Sequence, residues 1–135
     1  MNSKITTAIA NSILEDIFGA GNYLALSTTD PNSSFTEPTA SSYERYKIQV
    51  DDFEADEGVI TNKRHLLYGL ATEAWGTIVA FGVYNTAKTL IYWGLLTSPV
   101  EVPIDHVPVF KIYNETAGEG IKVTLDAVET TSASV

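Results

Sequence analysis

The chain has 135 residues, with eight Lys+Arg against seventeen Asp+Glu, two His and no Cys, for a formal net charge of −9. Without Cys there is no disulfide, thiol catalysis, Cys-ligated zinc or iron–sulfur cluster, and His65 and His106 are too few for a His-rich metal site. The acidity argues against the clustered positive charge of a nucleic-acid footprint and against docking on anionic membrane.

What remains is a soluble acidic chain of one domain, or one domain plus an arm. Its length is enough for a core that needs no metal or disulfide. Only 19% of residues are charged, and the aromatics are dispersed. That balance suits broad contact with other proteins better than a polar cleft.

Residues 1–18 read as a helix. Ile5, Ile9, Ile13 and Ile17 recur every four positions, and Ala8, Leu14 and Phe18 widen the stripe. Asn2 or Ser3 can cap its start, and Gly19 and Gly21 stop it. Thr7, Asn11 and Glu15 fall on the opposite face. The stripe must be buried, either on its own domain or on a neighbouring subunit. Thr6, Thr7, Asn11, Ser12, Glu15 and Asp16 interrupt the stretch, so it does not read as a secretory segment. No apolar run approaches the ~20 residues of a membrane span. Synthesis in a cytoplasm is expected.

After Gly21 the period changes from four to two. Asn22–Thr29 reads as a strand, Asp30–Ser42 as a long polar loop, and Tyr43–Val50 as a second strand, with Tyr46, Ile48 and Val50 on one face and Arg45, Lys47 and Gln49 on the other. Asp51–Gly58 reads as an acidic turn. Val59–Thr61 and His65–Ala71 are short strand candidates. Trp75–Asn85 is apolar or small on both faces, as a central strand should be. Its Gly76 and Gly82 suggest close approach of another backbone or a large ring. Thr89–Leu96 follows as its hairpin partner. Ser98–Pro108, punctuated by Pro99, Pro103 and Pro108, reads as an edge or irregular segment. Val109–Tyr113 and Ile121–Asp126 are the last strand candidates, and Thr130–Val135 reads as a fraying tail.

One helix followed by roughly eight short strands predicts a mainly β protein. The expected architecture is a single antiparallel β-sandwich or barrel-like domain preceded by an N-terminal amphipathic α-helix. The expected boundaries are 1–21 for the helix, 22–127 for the β-domain and 128–135 for a flexible tail.

Several short pieces occur in a recognisable order: Phe18-Gly19, then Leu24 to Thr29 followed by Asp30-Pro31, then Glu37-Pro38 and Tyr43-Glu44-Arg45. Trp75-Gly76-Thr77-Ile78, Phe81-Gly82-Val83-Tyr84 and Tyr92-Trp93-Gly94-Leu95-Leu96-Thr97 complete the set. In this order, over residues 5–126, the chain resembles a family of small bacteriophage virion proteins labelled tail-fibre or mycobacteriophage gp80-like. Two features depart from the family pattern. Thr39-Ala40-Ser41-Ser42 replaces a Gly-rich stretch, and the turn after Tyr84 lacks a Gly pair. The resemblance implies a non-enzymatic virion structural protein, either a head decoration or a tail- or fibre-associated module. Its implied partners are copies of itself in a symmetric homo-oligomer and other virion proteins, with no nucleic acid or membrane. It carries over no catalytic residues.

The polar constellations have structural and functional readings. Glu37 and Arg45 can pair through two bonds and pin the polar loop over the sheet, or Arg45 can recognise a partner's carboxylate. Asp52, Glu54 and Asp56 alternate within the acidic turn, which is either solvated or a cation loop, although the EF-hand pattern is absent. There is no Gly-x-Ser-x-Gly elbow and no P-loop, and Ser98, Asp105 and His106 form no recognised triad pattern. Enzyme activity and cofactors are therefore not expected. Assembly and structural roles are expected for the helix residues Ile5, Ile9, Ile13, Ile17 and Phe18 and for the Glu37–Arg45 pair. Trp75, Phe81, Tyr84 and Trp93 of the paired strands share those roles, as do Val100, Val102 and Ile104 of the Pro-rich segment. The competing class is a carbohydrate-binding module for the host surface. It requires Tyr23, Tyr43, Tyr68 or Tyr113 to share one open surface.

Overall fold

The period-four stripe forms helix α1 (Thr7–Ile17) in the computed structural model, which describes residues 6–125 and 130–135. The strands are β1 (Tyr23–Ser27), β2 (Tyr46–Lys47), β3 (Phe53–Asp56), β4 (Val59–Asn62), β5 (Leu66–Leu67), β6 (Gly76–Tyr84), β7 (Leu90–Val102), β8 (Val109–Phe110), β9 (Gly120–Thr124) and β10 (Thr130–Ser134). All pairings are antiparallel. One sheet has the order β2-β1-β6-β7, the second β10-β9-β4-β3, and β5 with β8 makes a separate ribbon. The sheets pack together over a shared core and do not close into a barrel.

Asn2, Ser3 and Ile5 lie outside the described residues. The cap is Thr6, whose Oγ1 accepts the Ile9 N–H at 3.4 Å. At the far end the Asn22 amide donates to the Asp16 and Ile17 carbonyls at 3.1 and 3.0 Å. Gly21 then reverses the chain at φ 95°.

The helix sits on β3 and β4. It buries Ala10, Leu14 and Phe18 but leaves Ile9 and Ile13 55% and 37% exposed. Asn11, expected on the solvent face, instead turns inward: its Oδ1 accepts the Gly58 N–H at 2.8 Å. That bond sets the helix's rotation and leaves half of the apolar stripe uncovered.

β6 is central, between β1 and β7. On its inner face Phe81 meets Tyr92 and Phe110 at centroid distances of 6.2 and 6.1 Å. On its outer face the ring anticipated from the glycines is Phe35. A Cβ added at Gly82 would lie 2.6 Å from Phe35 Cε2.

Several segments differ from the sequence expectation. β2 is two residues long and Val50 is 69% exposed. The cause is buried Asp52, whose Oδ2 accepts the Gln49 N–H and the Tyr46 hydroxyl, both at 2.7 Å. These bonds fold the chain into a turn before Val50 can face the core. Half of the expected acidic turn is instead strand β3, which pairs with β4 through a tight Glu57-Gly58 turn, both residues at positive φ. β7 runs on through Pro99, so Val100 and Val102 of the Pro-rich segment are strand residues. Ile78 pairs with Val100 and Ala80 with Leu95, leaving Leu96 to Pro99 opposite Val79 alone. That bulge accommodates the proline, which has no N–H to donate.

The other half of the Pro-rich segment lies along the ribbon. The Tyr68 and Ala71 N–H groups donate to the Pro108 and His106 carbonyls at 2.9 and 2.8 Å. Thr130–Ser134, expected within a flexible tail, pairs with β9 as β10 and buries Ala133. β9 turns Ile121 and Val123 into the core, and β10 supplies the backbone partner along its edge. The expected boundary at 127/128 lies outside the described residues.

Buried Asn62 ties the layers together. Its amide donates to the carbonyls of Arg64 at 2.9 Å and Lys111 at 2.8 Å, and its Oδ1 accepts the Ile121 N–H at 2.8 Å. Gly120 passes close beside this knot at φ 87°, where a Cβ would lie 2.4 Å from Tyr113 Cα. A clash with backbone, added to a left-handed φ, cannot be relieved by moving a side chain. Gly120→Ala is expected to lower stability by about 2–5 kcal/mol, read as a lower urea midpoint at unchanged m-value.

Candidate interaction surface

The loop from Thr28 to Arg45 lies over the outer face of the first sheet, and its polar groups are bonded inward. Ser27 Oγ accepts the N–H groups of Thr29 and Thr36 at 3.2 and 3.1 Å. Glu37 Oε1 accepts from Arg45 Nε at 2.9 Å and from the Tyr43 hydroxyl at 2.7 Å. Its Oε2 accepts from Arg45 Nη2 at 2.8 Å. The Arg45 guanidinium sits 3.7 Å above the centre of the Tyr84 ring. The Tyr43 hydroxyl also accepts the Leu26 N–H at 3.0 Å. It stands where a longer β2 would have paired with β1.

This geometry fits the pinning reading of the pair. The two-bond face of the Arg45 fork is already used by Glu37. Burial pushes the Glu37 carboxyl up, but the hydrogen bonds from Arg45 and Tyr43 and the Arg45 charge outweigh it, so Glu37 titrates below the ordinary carboxylate value. Burial, and then the Glu37 carboxylate, push the Tyr43 hydroxyl far up, so it stays neutral and donates.

The remaining predicted residues scatter. Trp75 is buried, with Nε1 donating to Ser42 Oγ at 2.9 Å and its ring edge-on to Tyr43 at 5.2 Å. Phe81 is fully buried, and Tyr84 packs edge-on against Phe35 at 5.8 Å. Trp93, paired with Gly82, is half-buried. Ile17 packs on the edge of the core and Val102 is buried. Ile104 is 58% exposed.

Two of the four tyrosines named for sugar stacking are not available on an open surface. Tyr68 is buried with its hydroxyl on the Leu24 carbonyl at 2.8 Å, and Tyr43 is engaged beneath the loop. The alternating carboxylates are also separated: Asp52 is buried and bonded, whereas Glu54 and Asp56 are exposed on β3. Among the described residues no three His, Asp or Glu side chains converge to hold a metal. No helix among them is long and apolar enough to cross a membrane.

What the surface offers is apolar. Ile9 and Ile13 lie on the helix, and Ile91 and Leu95 on β7. Leu67, Leu70, Ile104 and Val107 are exposed along the β5–β8 ribbon and its extension. Sequence periodicity missed Leu67 and Leu70, because a two-residue strand is too short to show alternation.

Fold and surface together define the class: a mainly β module with one N-terminal helix, whose buried polar side chains brace its own backbone and which leaves several apolar side chains exposed. The family model described as Gp80, Podophage GP4 fiber I protein gp80, matches residues 4–117. The chain belongs to this family of phage fibre proteins and is a virion component, assembled after synthesis in the host. The resemblance to a phage tail-fibre family is upheld at that level, but the family is a podophage one and the mycobacteriophage label is not supported. No curated protein matches the chain.

Because its folded value is depressed, Glu37 stabilises the fold above the ordinary carboxylate range, and that contribution is lost as pH falls through and below it. Glu37→Gln is expected to cost about 1–2 kcal/mol at neutral pH, after allowance for partial exposure. Thermal melts of the two proteins, taken from neutral pH into acid, should converge as Glu37 of the wild type protonates. A constant gap would show that the pair does not titrate with folding.

Proposed function

We propose that the chain is a non-enzymatic structural module of a phage fibre that works by protein–protein assembly with other virion proteins and with copies of itself. The observation that carries this reading is the family match over residues 4–117. The fibre description favours a fibre-associated position over head decoration. The contact elements are the outer helix face, Ile9 and Ile13, and the turn carrying Ile104 and Val107 beside Leu70. Exposed aliphatic side chains of this kind gain free energy when a partner removes them from water. The net charge of −9 keeps free copies apart until shape and apolar area bring them to a docking site. Such a role needs no cofactor, nucleic acid or membrane.

The test is incorporation. Purified particles of the source phage are expected to contain the chain, and a phage lacking it should be complemented by the wild type. Ile104→Asp with Val107→Asp, or Ile9→Asp with Ile13→Asp, should fold normally by circular dichroism yet reduce incorporation at least tenfold. Absence of the wild-type chain from purified particles would sink the proposal.

A further inference from the structure

We propose that an open cleft at one end of the first sheet is a binding site for an acidic sugar, a saccharide that bears a carboxylate. The inference goes beyond the assembly reading and is independent of it, since none of the residues involved is a proposed contact. The cleft has a volume of about 360 Å³ and is lined by Tyr23, Glu44, Arg45, Thr86 and Lys88. That lies within the size range of small-ligand sites, roughly 300–1,000 Å³. Three separate parts of the chain meet there: the first residue of β1, the end of the polar loop before β2, and the turn between β6 and β7.

Local charge gives the ligand its sign. The chain has only eight basic side chains and a net charge of −9. Arg45 and Lys88 line the cleft, and Lys47 stands beside Tyr23 as its partner on β2, on the same face of the sheet. Against these cations stand Glu44 and Glu37, and Glu37 is already paired with Arg45. The balance is positive at this end of the sheet, which attracts an anion. Glu37 takes the Nε and Nη2 edge of Arg45, and among the described residues nothing bonds Nη1. The Arg45 side chain is 28% exposed, so a ligand can reach it. Glu37 and the Tyr84 ring hold the guanidinium in place before any ligand arrives.

Lys88 carries a second, independent observation. It sits at φ 64°, the left-handed conformation that ends this kind of hairpin loop and that glycine adopts at least cost. The turn is fixed around it. Asn85 Oδ1 accepts the Ala87 and Thr89 N–H groups, both at 3.0 Å, and the Lys88 N–H donates to the Asn85 carbonyl at 2.9 Å. A lysine kept where the backbone favours glycine points to a use for its ammonium group, and Lys88 lines the cleft.

The other walls favour a sugar over the carboxylate of a protein side chain. Glu44 when ionised only accepts hydrogen bonds, so it repels a bare Asp or Glu side chain, whereas a sugar brings hydroxyl donors to it. Thr86 can donate or accept, and the Tyr23 ring offers an apolar face to the C–H side of a pyranose. A carboxylate for Arg45 and Lys88, hydroxyls for Glu44 and Thr86, and a flat face for Tyr23 belong together in one molecule, an acidic sugar.

An array of glycans bearing glucuronate, galacturonate or sialate, probed with the full chain, tests the site. Binding to one or more of them is expected, and the carboxyl-reduced counterpart should bind about tenfold more weakly or worse. Lys88→Gly should lose affinity by a similar factor while its urea midpoint stays unchanged or rises, because it removes the ammonium and relaxes the backbone. Lys63→Ala, at an exposed lysine that does not line the cleft, should bind like the wild type. Failure of every carboxylated glycan, equal binding of the carboxyl-reduced form, or a Lys88→Gly variant that binds as tightly as the wild type would overturn the site. Capture of a poly-glutamate peptide in place of any glycan would also overturn it, in favour of a protein partner. Incorporation into particles is read separately, so none of these results bears on the structural reading.

Discussion

A polar loop closes the outer face of the first sheet, and the Glu37 carboxylate pins it from within, while Glu73 accepts from Ser41 at its exposed side. Between Thr28 and Arg45 the apolar contacts that hold the chain down are Phe35 over Gly82, buried Pro38, and Ala40 and Tyr43 against the core. Removing the Glu37 carboxylate from water is costly. Two guanidinium donors and the Tyr43 hydroxyl offset that cost. The same hydroxyl then satisfies the Leu26 N–H at the edge of β1. A two-residue β2 suffices because Tyr43 completes the edge that β2 leaves open. The loop therefore works as a further layer of cover on the first sheet, fastened by charge as well as by its few apolar contacts.

Where the core imposes a period, the sequence could be read directly. The switch from four to two at Gly21 separates α1 from β1, and the two-faced apolar pattern of residues 75–85 places β6 in the middle of its sheet. Gly76 and Gly82 pointed to a close backbone or a large ring; at Gly82 it is the Phe35 ring, whereas a Cβ at Gly76 would meet only Thr28 Cγ2 at 3.8 Å. Glu37 and Arg45 were legible as a pair because they flank one loop and their chemistry is specific. The rest depends on contacts that leave no period. Asp52 and Asn62 look like surface residues in the sequence, yet each is buried and bonds the backbone around it. The helix's rotation hangs on Asn11 and Gly58, far apart in the chain. A wide apolar stripe tells which side of a helix is greasy, but not which part of it the domain will cover. The small polar residues of β10 resemble a frayed end because their strand is specified by the open edge of β9, not by their own side chains.

The distribution of polar groups bears on how such a protein can recognise anything. Glu37, Arg45, Asp52, Asn62 and the Tyr68 hydroxyl are the polar groups that burial makes strongest, and each is bonded within the chain. Buried polar side chains among the described residues are all satisfied, so little directional bonding is left for a foreign molecule. Exposed charge is mainly negative and is spread from the helix (Glu15, Asp16) through β3 (Glu54, Asp56) to the later loops (Glu73, Asp105, Glu115), so it repels copies without orienting them. In the assembly role proposed above, recognition would fall to shape and the aliphatic groups left outside. Those forces are additive over area and weak at any one contact. They suit a component that meets the same neighbours many times on a symmetric particle, where many weak contacts are engaged together.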